Sequence, residues 1–238
     1  MKRIVEFMKR NYKVILLVTA LSAILWSFIP REKTEDPEKD KLLLELLTFV
    51  LEKGHYSPVE INDDFSKKVY KKYLDNIDPT KRFFIQSDID EFSKYETSID
   101  DMIKNKDLTF FNLTNARLLK RMSESREIYE DVLSKPFDFT VKESINVDYE
   151  KLPFSKSKSE LRDRWRKQLK LSALSSITDK EQLEEDKKKK DNAYEVKSFD
   201  VIEKEVRENS LKSLNEYFDF IEKELERDDW FAIFLNSI

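Results

Sequence analysis

Few residues in this sequence have the type and spacing to carry chemistry. His55 is the only imidazole, so a metal site or proton relay built from two histidines is excluded. A single-histidine system remains open, in which His55 and nearby carboxylates would make a stand-alone hydrolase. Its position in a Gly54-His55-Tyr56 loop after a helix favours an ordinary loop residue. Asp88, Asp90 and Glu91 in "SDIDE" could serve acid–base catalysis or calcium, but the spacing lacks the Gly and distal Glu of a calcium loop. Acidic residues in a first helical turn are also simply good partners for the helix dipole. Serines are numerous, yet none stands in the strand–turn–helix context of a nucleophile elbow. Without Cys there is no thiolate catalysis, thiolate metal site or disulfide. A single Gly leaves no room for a dinucleotide fingerprint, phosphate loop or glycine-rich oxyanion hole. No catalytic constellation can be assembled, and the expected sets of catalytic, cofactor-binding and metal-ligating residues are empty.

Two charged stretches need the same scrutiny. "RDRWRKQLK" at 162–170 mixes arginine with tryptophan, as nucleic-acid sites do, but Trp165 lies in register with Leu161 and Leu169. It reads as a core aromatic with arginines flanking its rim. "EEDKKKKD" at 184–191 reads as a solvated helix surface. The charge balance agrees. The first thirty residues hold five basic and one acidic side chain, so the totals of 44 and 48 fall to 39 and 47 beyond them, a net charge of −8. Nucleic-acid binding needs a basic footprint and is not expected.

The elements that would position these residues are helices. The chain has 238 residues, 39% apolar and 39% charged, enough apolar content for a core and far more charge than an average domain. Lys2, Arg3, Lys9, Arg10 and Lys13 precede an uncharged run, "VILLVTALSAILWSFI" at 14–29, which reads as an export signal or a short inner-membrane anchor with its N-terminus in the cytoplasm. Residues 1–30 are therefore assigned to a signal peptide or membrane anchor, 31–41 to a charged tether, and 42–238 to an exported helical domain. Within it, Leu42, Leu43, Leu46, Leu47, Val50 and Leu51 mark a helix over about 39–53. Asn62 caps a second with Phe65, Val69, Tyr73 and Ile77 on its face, ended by "DPTK" at 78–81. Ser87 and Asp90 form a capping pair for a third that carries Ile89, Phe92, Ile99 and Ile103. Thr109 opens a long helix to about Ser134, and 136–157 alternates as extended chain or a small hairpin between prolines. Ser159 starts another helix with Leu161, Trp165, Leu169 and Ala173. Thr178 with Glu181 predicts a separate one, and Ser198 begins the last long one. The fold class is all-α, multi-helix.

The final stretch, "DDWFAIFLNSI" at 228–238, predicts a helix capped by Asp228 and Asp229 with Trp230, Phe231, Phe234, Leu235 and Ile238 on one face. No cap, basic last turn or Pro closes it. The expectation is an exposed apolar stripe, covered by a partner or by further sequence and prone to self-association, since each such side chain is worth roughly 1.5 to 3 kcal/mol when buried.

Three blocks taken together carry a resemblance: "GHYSPVEINDDFSKKVYKKYLDNIDPTKRFFIQSDIDEF" at 54–92, "KPFDFTVKESINVDYEKLPFSKSKSELRDRWRKQLK" at 135–170, and the closing "DDWFAIFLNSI". Their order and spacing resemble the N-terminal domain of bacterial tail-specific proteases, also called C-terminal processing peptidases. The first block is the most specific, because its H-Y-x5-[DN]-D-x-F-S lead-in and S-D-[IV] helix start are not demanded by helix physics. The resemblance implies an exported periplasmic serine endopeptidase that recognises apolar C-terminal tails. In that family a helical domain precedes an Asp-Pro-His segment, a PDZ domain and a Ser–Lys catalytic core. None of those parts is in this sequence, so no catalytic or PDZ residue transfers to any position. The present segment would form part of a helical wall around the proteolytic chamber and contact substrate or an adaptor protein, as a truncated and inactive portion. The competing expectation is a complete membrane-anchored helical adaptor or scaffold without enzymatic activity.

Overall fold

The computed structural model describes residues 37–54 and 60–238. The export signal or anchor at 1–30, most of the charged tether and His55 lie outside the described residues. Helix α1, Pro37–Phe49, runs into a π-helical turn at Val50–Gly54. It begins inside the stretch assigned to the tether, because Asp40 is buried and ion-paired to Arg227 at 2.5 Å. Its inner residue is Leu44, with Leu43 and Leu51 packed beside it, while Leu42, Leu46, Phe49 and Val50 are exposed. The helix expected from the leucine repeat therefore forms, with part of the repeat facing outward.

Helix α2, Asp63–Ile77, starts at the expected cap: the Asn62 side chain accepts the N–H groups of Asp64 and Phe65, both at 3.1 Å. The third expected helix is divided into α3, Gln86–Phe92, a 3-10 turn at Ser93–Tyr95, and α4, Ile99–Lys104. Its cap is also not the Ser87/Asp90 pair. Asp88 reaches back to accept the Ile85 N–H at 3.0 Å, one residue register earlier.

Helix α5, Thr109–Leu133, is the central strut. Phe110, Phe111, Leu118, Met122, Tyr129 and Leu133 return to one stripe at steps of four and seven residues and are all buried. One half of that stripe meets α2 and the C-terminal helix α8, Arg227–Leu235. The other half meets α6, Lys158–Lys190, and α7, Phe199–Glu224, which also pack on each other. Among the described residues these make eight α-helices and no sheet, with Glu38–Ile238 as one unit.

Two sequence expectations are overturned by packing. Helix α6 is continuous through Thr178, whose hydroxyl bonds back to the Leu174 carbonyl at 3.0 Å. The four-residue repeat Leu161, Trp165, Leu169, Ala173, Ile177 runs straight through, buried at every position except the partly buried Leu169, and no Gly or Pro interrupts it. The terminal stripe is also not exposed. Trp230, Phe231 and Phe234 are buried, and Leu235 and Ile238 pack against the same core. Phe234 meets Tyr73 at 5.1 Å and Phe111 at 5.8 Å between ring centroids. The side chains that cover the stripe precede it in sequence. The helix is capped by the carboxylate of Asp229 on the Glu226 N–H, 2.8 Å, while Asp228 pairs with Lys39.

Residues 135–157 form an irregular extended strap with no hairpin; their one bridge is Ile85 with Ser155. Side chains hold the strap down. Lys81 donates to the Glu150 and Leu152 carbonyls at 3.1 and 2.7 Å, Arg164 to Pro153 at 2.8 Å, and Arg166 with Lys170 grips Glu143.

Candidate functional site

The acidic cluster "SDIDE" resolves into structure. Asp88 is fully buried, and Arg121 forks onto it, Nε to Oδ2 at 2.8 Å and Nη2 to Oδ1 at 2.9 Å. Arg117, one turn earlier on α5, reaches the same carboxylate and donates to Glu91 at 2.6 Å. Burial pushes the Asp88 carboxyl up, but Arg121, the Ile85 N–H and Arg117 together hold it below the ordinary carboxylate value. Asp90 accepts from the Gln86 side chain at 2.9 Å. The Asp88 and Glu91 carboxylates thus tie α3 to α5, while Asp90 stays exposed. Sequence reading missed Arg121, although its place between Leu118 and Met122 in the buried register of α5 was the available signal. Among the described residues no group of three or more His, Cys, Asp or Glu is placed to hold a metal ion.

"RDRWRKQLK" is likewise built around a core aromatic, as expected. Trp165 is 1% exposed, donates its indole N–H to the Arg82 carbonyl at 2.8 Å, and meets Tyr129 and Phe218. The flanking arginines fasten neighbouring segments: Arg162 pairs with Asp131 of α5, Arg164 donates to the Lys81 carbonyl in the turn after α2 at 2.7 Å, and Arg166 pairs with Glu143 of the strap and with Asp163 of its own helix. The "EEDKKKKD" run is solvated except at Glu184. That residue is buried and accepts from Tyr194 Oη at 2.7 Å and the Lys197 N–H at 3.2 Å, fixing the turn between α6 and α7.

The turn after α2 supplies the least ordinary side chain. Asp78 is buried and its carboxylate accepts the N–H groups of Arg82, Phe83 and Phe84 at 2.9, 3.1 and 2.9 Å. Burial pushes its carboxyl up to about 6, with those three hydrogen bonds and the Arg82 charge pulling the other way. The turn places the Arg82 guanidinium 4.7 Å from the Trp165 ring centre and 5.4 Å from that of Phe83. Beside it opens a cleft of about 480 Å3 between α6 and α7. Gln168, Ser172 and Ser176 of α6 face Asn209, Ser210 and Ser213 of α7, with Lys180 further along. No Asp or Glu lines it.

With these geometries in hand, comparison with known proteins is specific. The family described as tail specific protease N-terminal domain matches residues 47–238. The chain belongs to this family. It is 29% identical over 167 residues to a tail-specific protease of Haemophilus influenzae, a match that covers 64% of this chain and 24% of that protein. The chain thus aligns with about a quarter of its relative's length. The all-helical fold and the family agree on a protease-associated domain, and no strand among the described residues could belong to a PDZ module.

Proposed function

We propose that this chain is the helical, non-catalytic part of an exported serine endopeptidase that processes or degrades proteins from their C-terminal tails. In that role it walls the proteolytic chamber and contacts substrate or an adaptor protein. The observation that carries this reading is the family match over 47–238, joined to the way the conspicuous ionisable clusters are spent on internal pairs. The chemistry then belongs to the three quarters of the relative with which this chain does not align. Export rests on the basic flank and the apolar run at 14–29; among the described residues no helix is long and apolar enough to cross a membrane.

The test is association. On this reading the 238-residue chain, mixed with a tail-specific protease lacking its own N-terminal domain, co-elutes with it and restores processing of a reporter ending in an apolar tail. A reporter processed equally well with and without the added chain, and no co-elution, would reject the reading. An enzyme reporter active only outside the cytoplasm, fused after Ile238, checks export independently.

A further inference from the structure

We propose that the cleft between α6 and α7 is a docking site for an acidic peptide segment, with one carboxylate seated on the Arg82 guanidinium. The cleft is an exception to its surroundings. The chain beyond residue 30 has a net charge of −8, yet this cleft has two cationic side chains, Arg82 and Lys180, and no acidic lining residue. Lys180 is paired with Glu205 at 3.1 Å, whereas Arg82 has no ion-pair partner among the described residues. Its Nε is buried without an acceptor, and so is the Nε2 of Gln168 across the same wall. Those two atoms are themselves shielded from solvent, whereas the Arg82 side chain as a whole is partly exposed and lines the cleft, so a ligand would meet its remaining N–H groups. The nearest internal anion, Asp78, has its oxygens committed to three backbone N–H groups.

The acceptor that fits best is a carboxylate on a peptide. A guanidinium presents parallel N–H groups that match a carboxylate edge, and its face is already held on Trp165. The hydroxyls of Ser172, Ser176 and Ser213 can both donate and accept, as successive peptide amides require. From Trp165 to Lys180 the α6 axis rises about 22 Å, room for an extended segment of several residues at about 3.3 Å each. This inference stands apart from the protease assignment, because it concerns the groove and not the chemistry of any relative.

The probes are acetyl-(Glu)4-amide, acetyl-(Gln)4-amide and inorganic phosphate, each titrated calorimetrically into the 238-residue chain. Acetyl-(Glu)4-amide should bind at least tenfold more tightly than its Gln counterpart. Arg82→Gln should weaken that binding roughly tenfold or more, the order of one charged hydrogen bond. Ser213→Leu, which puts a bulky apolar side chain in the lining of the cleft, should weaken it comparably, and Lys94→Gln on an exposed turn should leave it unchanged. If Arg82→Gln does not fold, Ser213→Leu and Gln168→Leu carry the test alone. Equal binding of the two peptides, unchanged affinity in the cleft variants, or a response to phosphate without one to the acidic peptide would each overturn the proposal.

Discussion

Arg121 of α5 grips Asp88 of α3 through two parallel hydrogen bonds, 2.8 and 2.9 Å, in a place where Asp88 has no solvent exposure. The same carboxylate caps α3 through the Ile85 N–H, so one side chain sets both where α3 begins and how it sits on α5. Removing Arg121 leaves the buried Asp88 charge with only the partly exposed Arg117 and the Ile85 N–H. Arg121→Ala should cost about 3 to 5 kcal/mol of unfolding free energy, measurable by urea denaturation. A loss below about 1 kcal/mol would mean that the pair does not organise the α3–α5 contact.

Two of the buried aspartates, Asp88 and Asp78, should respond to pH with opposite sign. Asp88 is held below its unfolded value, so its contribution is present above about pH 4 and is lost as pH falls through its folded pKa. The stability difference between the native chain and Asp88→Asn should therefore shrink as pH drops below 4. Asp78 is pushed up to about 6, so between about pH 4 and 6 the folded protein binds its proton more tightly than the unfolded chain. Its contribution falls as pH rises through that window, by roughly 2 to 3 kcal/mol, and levels off above it. Denaturation of Asp78→Asn against the native chain at pH 4, 5, 6 and 7 reads this difference directly; a difference constant with pH contradicts the burial-driven shift.

Phe234 lies within 5.1 to 6.2 Å of the rings of Tyr73, Phe110, Phe111 and Phe231. Phe234→Ala should cost about 3 to 5 kcal/mol, as expected for emptying a buried aromatic site. Because the native stripe is covered, that variant, and not the native chain, should gain binding of a hydrophobic dye and concentration-dependent association on a sizing column. Equal dye binding by both proteins would place the stripe at the surface after all.

Lys106 adopts φ 56°, a left-handed conformation that disfavours any residue with a Cβ. Lys106→Gly should relieve about 1 kcal/mol of that strain while losing the exposed 2.5 Å pair with Glu45, worth a few tenths. The net should be a small gain in thermal midpoint; a loss of several degrees would show that the pair outweighs the backbone.

Local signals in the sequence carried much of the fold. Asn62 capped α2 as its type and spacing required, and the apolar period from Phe111 to Leu133 laid out α5. Two failures share one cause. Thr178 with Glu181 has the spacing of a capping box, but the same i, i+3 spacing recurs along any helix, and only burial of Ala173 and Ile177 against α7 shows that α6 runs through. The terminal stripe was legible as an amphipathic helix, whereas its cover, Tyr73 and Phe111, comes from residues more than a hundred positions away. The cleft was less legible still. Arg82 lies in a charged turn, and its unpaired state depends on Asp78 being consumed by backbone donors and on a tryptophan 83 residues later.

The role proposed above makes this chain the helical, non-catalytic part of a tail-specific protease. The most direct measurement incubates the purified 238-residue chain with a reporter protein ending in an apolar tail, and follows intact reporter mass over many hours. The account predicts no cleavage above a blank. Cleavage that grows with chain concentration and is lost in His55→Ala would contradict it.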